Sequence, residues 1–393
     1  MIAITAATLF TPLERIERPL LLVEDGSVVE VTSRARRETP AGSRVLDFSD
    51  GILAPGYIDI HIHGGAGRDV MDASPEALPE VERQLASHGV SSYFPTTVTA
   101  PLDATLSALA RLADAIEAAE SESSGLRARP LGIHLEGPFI SPCRRGVHPP
   151  ADLLTPSLAA FERFWDAARG HIRVMTIAPE LPGAIEVIKE AAKRGVSVSL
   201  GHSDASLDAA RAGMAAGGRH ATHTFNAMRP LGHRDPGILG EVLTDPRLSA
   251  DIIADGVHVD PLIVELFLKA KGPEAAVLIT DATAATGMPD GRYHLGSLEV
   301  EVKDGRCTSG GNLAGSVLTL DVAVRNVMKF AQWDLQNAVR IATLNPARVV
   351  RLNNGSGNSL NQVGSLKPGG RADILVLSPA GEVRRTIIGG AGI

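Results

Sequence analysis

The chain has 393 residues, of which 44% are hydrophobic and 21% are charged, and its formal net charge is −7. This composition is ordinary for a soluble globular protein, and the negative charge argues against a general nucleic-acid-binding surface. Two cysteines, Cys143 and Cys307, are too few for a disulfide framework and suggest a reducing compartment. With neither a secretion signal nor an apolar stretch of about 18 residues, we expect a cytoplasmic protein without a membrane span.

Both ends of the chain have the pattern of short β-strands. Near the start, two apolar runs flank an Asp-Gly pair at 25–26, which is a strong signal for a hairpin. Near the end, residues 372–377 form another apolar run of strand length. We therefore predict that residues 1–54 and 352–393 together build a small β-sandwich domain, entered through a polar loop at 353–362.

Between these ends, apolar runs of strand length alternate with helix patterns. Repeated strand–helix alternation implies a parallel sheet. Eight strands over this length fit a closed (β/α)₈ TIM barrel, a fold of the α/β class, better than an open sheet. We predict this barrel over residues 55–351. The predicted strands are 56–62, 93–98, 131–135, 173–177, 197–200, 220–224, 250–254 and 277–280.

Histidines and carboxylates follow the ends of the predicted strands, where a barrel collects its catalytic groups. His61 and His63 lie two residues apart on the first strand, so their side chains share one face and can bind one metal ion. A single histidine at a strand end is more often an ordinary hydrogen-bonded residue. The presence of six such groups on one rim predicts a metal site. The other four are Glu136, His202, His223 and Asp281.

These segments resemble those of the N-acetylglucosamine-6-phosphate deacetylases, a branch of the amidohydrolase superfamily, over nearly the whole chain. In this branch a glutamate, matched here by Glu136, stands where many relatives that cleave cyclic amides have a carboxylated lysine. Residues 1–188 contain no lysine, which excludes a lysine bridge on the first four strands. The matching segments are PGYIDIHIHG (55–64), HLEGPFI (134–140), GHSDA (201–205), THTFNAM (222–228) and TDA (280–282).

The resemblance implies a core metal held by Glu136, His202 and His223. Some members of the family lack the histidines of the first strand. Their presence here as His61 and His63 favours a second metal, bridged through Glu136 and contacted by Asp281. The expected cofactor is one or two divalent transition metals per subunit, Zn²⁺ or Fe²⁺, because mixed imidazole and carboxylate ligands suit both.

The reaction that the resemblance implies is hydrolysis of the N-acetyl amide of N-acetyl-D-glucosamine 6-phosphate to D-glucosamine 6-phosphate and acetate. A bound metal lowers the pKa of water from about 15.7 to about 7 and so generates hydroxide near neutral pH. Asp281 is the expected general base and, for the departing amine, the general acid. His148 is expected to help stabilise the oxyanion.

The resemblance also implies the residues that contact the substrate. His148 is expected to bind the sugar, and Arg234 and His258 are expected to hold its phosphate, for which a guanidinium is well suited. Family members are commonly dimers in which one subunit contributes to the phosphate pocket of the other. We therefore expect a homodimer in which Arg234 or His233 has that role. The full predicted set is Val147, His148, Asn226, Ala227, Arg234, Asp255, His258, Leu313 and Ala314.

Two other interpretations stay open. A different amidohydrolase activity, such as deacetylation of N-acetylgalactosamine 6-phosphate or of an N-acyl amino acid, would share the metal site and differ only in the pocket. A non-catalytic relative would keep the barrel as a binding or assembly module. Such relatives usually lose metal ligands or the catalytic aspartate, whereas this chain keeps all six groups, including Asp281.

Overall fold

The computed structural model describes residues 1–121, 125–352 and 362–392, so most of the loop predicted at 353–362 lies outside the described residues. The chain opens with strands only. The predicted hairpin turn is confirmed, with Asp25 and Gly26 at φ values of 47° and 73°, as a tight two-residue turn requires. The first strands are β1 (Ile2–Phe10), β2 (Arg15–Glu17), β3 (Pro19–Glu24), β4 (Ser27–Ser33) and β5 (Arg44–Pro55).

Strands and helices then alternate, as predicted. The first half contains β6 (Tyr57–Ile62), β7 (Gly64–Gly65), β8 (Arg68–Asp69), α1 (Ala77–Ser87), β9 (Val90–Thr97), α2 (Leu102–Ser121), β10 (Arg129–Pro130), β11 (Ile133–Glu136), α3 (Leu158–Ala167) and β12 (Ile172–Ile177). The second half contains α4 (Ala184–Lys193), β13 (Ser197–Leu200), α5 (Leu207–Ala216), β14 (Gly218–Ala221), α6 (Gly237–Thr244), β15 (Ala250–Ile253), α7 (Pro261–Ala275) and β16 (Ala276–Ile279).

Eight of these strands form the barrel. β6, β9, β11, β12, β13 and β14 pair side by side in parallel, and β15 pairs in parallel with β16. The N–H of Ala221 donates to Ser249 O at 3.0 Å, which joins β14 to the segment leading into β15. The N–H of Asp281 donates to His61 O at 2.9 Å, which joins the end of β16 to β6. The predicted TIM-like α/β fold is confirmed, and each predicted barrel strand overlaps an observed one.

The burial of the barrel strands on both faces explains why their sequences are near-continuous apolar runs. All six residues of β6 are buried, because a parallel sheet in a barrel is covered by helices outside and by its own side chains inside. Ile58, Ile60 and Ile62 alternate with Asp59 and His61, so one face of this strand is apolar and the other polar.

A four-stranded antiparallel sheet follows β16 and was not predicted. It consists of β17 (Gly291–Leu295), β18 (Leu298–Lys303), β19 (Arg306–Ser309) and β20 (Asn312–Leu313). Its apolar face packs Leu295, Val300 and Val302 against Val98, which follows β9 at the rim of the barrel. We call this element the rim sheet. It covers one side of the rim from which the predicted ligands project.

The remaining elements return the chain to its start. They are α8 (Leu320–Ala331), α9 (Leu335–Arg340), α10 (Leu344–Val349), β21 (Ile374–Leu377) and β22 (Val383–Ile387). β21 pairs antiparallel with β5, so strands from both ends share one seven-stranded sheet in the order β22-β21-β5-β1-β3-β4, with β2 beside β1. This confirms a separate β-rich unit, while its exact boundaries stay a prediction. In the described parts of the chain, no helix has the length and apolar character needed to cross a membrane.

Candidate metal centre

The other five predicted ligands converge around the buried carboxylate of Glu136. Its Oε1 lies 3.0 Å from His223 Nε2 and 3.1 Å from His202 Nε2. The Nε2 of His61 is 3.4 Å from the same oxygen, and the Nε2 of His63 is 3.2 Å from Oε2. Asp281 lies beside these two histidines at the end of β6, because its Oδ1 is 3.1 Å from His63 Nε2 and 3.5 Å from His61 Nε2.

Three of these ligands have a backbone conformation that is rare for residues other than glycine. His202, His223 and Asp281 have φ values of 45°, 29° and 52°. Such left-handed conformations cost of order 1–3 kcal/mol and persist only where the surroundings hold them, often at functional sites. Here the N–H of His223 is held by the Asp251 carboxylate, and the N–H of Asp281 by His61 O.

Hydrogen bonds to the far side of two imidazoles assign their protons. His63 Nδ1 lies 2.9 Å from Thr96 O, and His202 Nδ1 lies 2.9 Å from Arg144 O. A carbonyl oxygen only accepts, so Nδ1 of each ring carries the proton. Nε2 of each ring faces Glu136 and is the nitrogen that would ligate a metal, which is the arrangement of a metal-binding histidine with its supporting acceptor.

The donor set fits a divalent transition metal. Within the described residues, neither ring nitrogen of the buried His61 has a hydrogen-bonding partner. Nε2 of His202 and Nε2 of His223 lie only 3.1 Å apart, a contact that a shared cation stabilises. The ligand atoms of His61, His63 and Asp281 lie within 4.8 Å of one another. Imidazole nitrogens and carboxylate oxygens in such a group suit zinc or iron.

Both carboxylates of the centre are in the ionised form that binds a metal. Burial would raise the pKa of Glu136, but the charge of His61 and the hydrogen bonds from His202 and His223 hold it well below its usual range. Burial likewise opposes ionisation of Asp281, yet His61 and His63 lower its pKa to about 2. Both groups are therefore anionic at neutral pH.

His148 lies beside the ligands but has a different chemical role. The ligand atoms of Glu136, His148 and His202 also lie within 4.8 Å of one another. However, His148 Nδ1 accepts from the N–H of Thr99 at 3.3 Å, so the neutral ring carries its proton on Nε2. Burial and the charge of His202 lower the pKa of His148 to about 3, which keeps the ring neutral. His148 thus presents a hydrogen-bond donor, and His223 stays the predicted third ligand beside Glu136 and His202.

A cavity of about 210 Å³ opens over the centre and contains most of the predicted substrate contacts. Those that line it are Val147, His148, Asn226, Ala227, His258 and Leu313. Asp255 stands behind His258, whose Nδ1 donates to its Oδ2 at 2.7 Å. Ala314 is buried in the rim sheet's core. Arg234 is exposed on the segment between β14 and α6 and does not line this cavity.

The sequence interpretation did not include four residues of the cavity wall, which are Val98, Gly146, Leu295 and Gly315. Leu295 ends the first strand of the rim sheet. A signal for this sheet is present in residues 298–303, where apolar and charged residues alternate strictly. Leu295 and Leu313 both come from the rim sheet, so this sheet supplies part of the apolar wall of the cavity, beside Val98 and Val147.

Comparisons with known proteins identify relatives of this chain. Residues 52–392 match the Amidohydrolase family. The N-acetylgalactosamine-6-phosphate deacetylase of Escherichia coli O157:H7 is 40% identical over 340 residues, which cover 86% of this chain and 87% of that protein. The N-acetylglucosamine-6-phosphate deacetylase of Bacillus subtilis (strain 168) is 35% identical over 379 residues, covering 96% and 93%. A solved structure from Mycobacterium smegmatis also matches, with a TM-score of 0.89 at 34% identity over 99% of this chain and 98% of that chain. It is a mutant N-acetyl-D-glucosamine-6-phosphate deacetylase in complex with N-acetyl-D-glucosamine-6-phosphate.

Proposed function

The chain belongs to the amidohydrolase family, and we propose that it hydrolyses N-acetyl-D-glucosamine 6-phosphate to D-glucosamine 6-phosphate and acetate. One observation carries this proposal. Five candidate metal ligands surround Glu136, beneath the cavity that a neutral histidine donor, His148, lines. The relatives named above support the substrate, because they are deacetylases of amino-sugar 6-phosphates.

We propose that Glu136, His202 and His223 hold one divalent metal, Zn²⁺ or Fe²⁺, and that His61 and His63 hold a second with Asp281. When bound, such a metal polarises a carbonyl and lowers the pKa of a water molecule towards about 7. The short distances from both groups of histidines to Glu136 support its place between the two sites.

The chain's own residues then move protons and bind the acetamide. The ionised carboxylate of Asp281 accepts a proton from the attacking water and delivers it to the departing amine nitrogen, which leaves poorly unless protonated. The Nε2–H of His148 donates to the acetamide oxygen as negative charge develops there. His148 needs no rearrangement for this step, because its Nδ1 is already held by Thr99.

We propose that the sugar lies against Val147, Asn226, Ala227 and Leu313, with its phosphate towards His258. Asp255 supports this role, because it accepts from His258 Nδ1 and from the backbone N–H of the same residue. This pair fixes the orientation of the imidazole in the cavity wall.

Arg234 requires a second subunit in this proposal. It is exposed outside its own cavity, so we propose a homodimer in which Arg234 or His233 of one copy reaches the phosphate pocket of the other. Removing the phosphate contact of a guanidinium costs about 1.5–3 kcal/mol, or a factor of about 10 to 150. We also propose a cytoplasmic location, which the presence of only two cysteines supports.

A second candidate substrate is N-acetyl-D-galactosamine 6-phosphate. The 40% identity to the Escherichia coli protein of that name favours it specifically. The two sugars differ only in the orientation of one hydroxyl, and they would use the same metal centre. The difference between the two candidates therefore concerns the cavity wall and not the chemistry.

Release of acetate from four compounds tests the proposal. The compounds are the two N-acetyl hexosamine 6-phosphates, free N-acetyl-D-glucosamine and an N-acetyl amino acid, each assayed with zinc, with iron and without metal. We expect kcat/KM to be highest on N-acetyl-D-glucosamine 6-phosphate and at least about 10-fold lower on the free sugar. Equal rates on the phosphorylated and free sugars would overturn the proposed substrate. A faster rate on the galactosamine compound would select the second candidate.

A further inference from the structure

The interior of the barrel beneath the metal ligands holds a hydrogen-bonded polar layer. Barrels of this type usually fill that space with branched apolar side chains. His134 lies on β11 two residues before Glu136 and is buried. Its Nδ1 is 2.9 Å from Ile60 O on β6, and its Nε2 is 2.8 Å from Thr176 Oγ1 on β12. His134 therefore connects two strands across the interior.

The partners of His134 determine where its proton lies. The carbonyl of Ile60 only accepts, so Nδ1 carries the proton. Both partners are neutral and the ring is buried, which favours the neutral imidazole. Its Nε2 therefore accepts from the hydroxyl of Thr176.

Two further hydroxyls continue this contact and give it one direction. Thr176 Oγ1 is 2.8 Å from Thr222 Oγ1, which is 2.5 Å from Ser199 Oγ. Each hydroxyl has one proton to donate. Since Thr176 donates to His134, Thr222 donates to Thr176, and Ser199 donates to Thr222. We call these three residues the hydroxyl chain.

The other side of His134 contacts His61, a predicted ligand on β6 that lacks a supporting acceptor. His63 and His202 each have a carbonyl at Nδ1, whereas His61 Nδ1 has no hydrogen-bonding partner in the parts of the chain that the structure describes. The ring of His134 instead packs edge to face on His61, with 4.5 Å between centroids and 72° between planes. His134 also holds the carbonyl of Ile60, the residue that precedes His61.

We propose that His134 is a positioning residue that sets the orientation of His61 for the second metal, and that the hydroxyl chain keeps His134 in the required tautomer. The packing of the two rings takes the place of the carbonyl that His63 and His202 have. The proposal rests on the proposed metal centre and is independent of the sugar that the enzyme uses.

A matched pair of variants at Thr176 tests this role. Thr176→Val replaces the hydroxyl by a methyl group of similar size, and Thr176→Ser keeps the hydroxyl. Metal-stripped protein is titrated with Zn²⁺ by calorimetry. The His61→Ala variant identifies which of the Zn²⁺ sites depends on His61. We expect Thr176→Val to weaken Zn²⁺ binding at that site by about 10- to 100-fold, as is usual when a residue supporting a metal ligand is lost. Zn²⁺ affinity at the other site should stay at the wild-type value, and Thr176→Ser should bind Zn²⁺ like the wild type at both sites.

His134→Phe extends the test to the two nitrogen contacts that hold the ring against His61, because it keeps an aromatic ring there but loses both contacts. We expect the same selective weakening, with a circular dichroism spectrum like that of the wild type. Wild-type metal affinity in Thr176→Val would overturn the proposal, as would an equal loss in Thr176→Ser. An unchanged metal affinity in His61→Ala would also overturn it. These titrations contain no substrate, so their outcome is separate from that of the acetate-release assay.

Discussion

Replacing His148 with phenylalanine tests whether this residue is a hydrogen-bond donor to the substrate or a metal ligand. The ring is held by the Thr99 N–H at 3.3 Å and the Thr99 hydroxyl at 2.8 Å, and its Nε2 lies 3.7 Å from Glu136 Oε2. Phenylalanine keeps the shape and removes both nitrogens. If Nε2–H stabilises the developing oxyanion, its loss should lower kcat by about 100- to 1000-fold, or about 3–4 kcal/mol in the barrier. The metal content should not change.

The assay combines kcat on N-acetyl-D-glucosamine 6-phosphate with metal analysis of the same preparation. Thr99→Val is the matched control, because it removes only the hydroxyl and leaves the N–H that assigns the proton of His148. We expect its kcat to stay close to that of the wild type. Loss of metal in His148→Phe would refute the reasoning, since it would make His148 a ligand. Unchanged kcat would refute it as well.

Three further predictions concern other residues. Asp281→Asn should lower kcat by about 100- to 10,000-fold, because the proton carrier is lost, while the metal held by Glu136 stays bound in elemental analysis. Activity close to wild type would contradict this role. Arg234→Ala should raise KM for the phosphorylated sugar by about 10- to 100-fold and leave the slow reaction of the free sugar unchanged; equal losses on both would argue against a phosphate contact. Burial raises the pKa of Glu82 to about 7 against the opposing effect of Arg127. The folded protein therefore keeps a proton that the unfolded chain releases near pH 4.5, and this contribution to stability is lost as the pH rises to about 7. Between pH 4.5 and 7, the free energy of unfolding measured with denaturant should fall by about 3 kcal/mol less in Glu82→Gln than in the wild type. Equal pH dependence of the two proteins would contradict this prediction.

The barrel and its rim were predictable because their signals are local. Buried parallel strands read as short apolar runs, and the spacing of His61 and His63 places both on one face whatever the rest of the chain does. Turn residues at 25–26 likewise determined a hairpin without reference to other segments. Each of these features depends on neighbours within a few residues.

The rim sheet was missed because its strands are short and their outer faces are exposed. Its stability comes from packing Leu295, Val300 and Val302 on Val98, which lies about 200 residues earlier in the chain. The resemblance led us to expect that Arg234 or His233 serves the pocket of a partner, but the motif gives only the residue type and not the direction in which its loop extends. The structure places Arg234 on the surface, outside the cavity.

The sequence by itself determined which chemical groups stand at the strand ends, and therefore that a metal and an amide hydrolysis were to be expected. The resemblance assigned His223 to the metal and His148 to the substrate, whereas the residue types alone do not separate two histidines that each lie close to Glu136. The tertiary structure gives His148 its distinct chemistry, because Thr99, 49 residues before His148 in the chain, donates its N–H to one ring nitrogen. An imidazole carries its proton wherever its partners require, and those partners come together only when distant strands meet in the barrel.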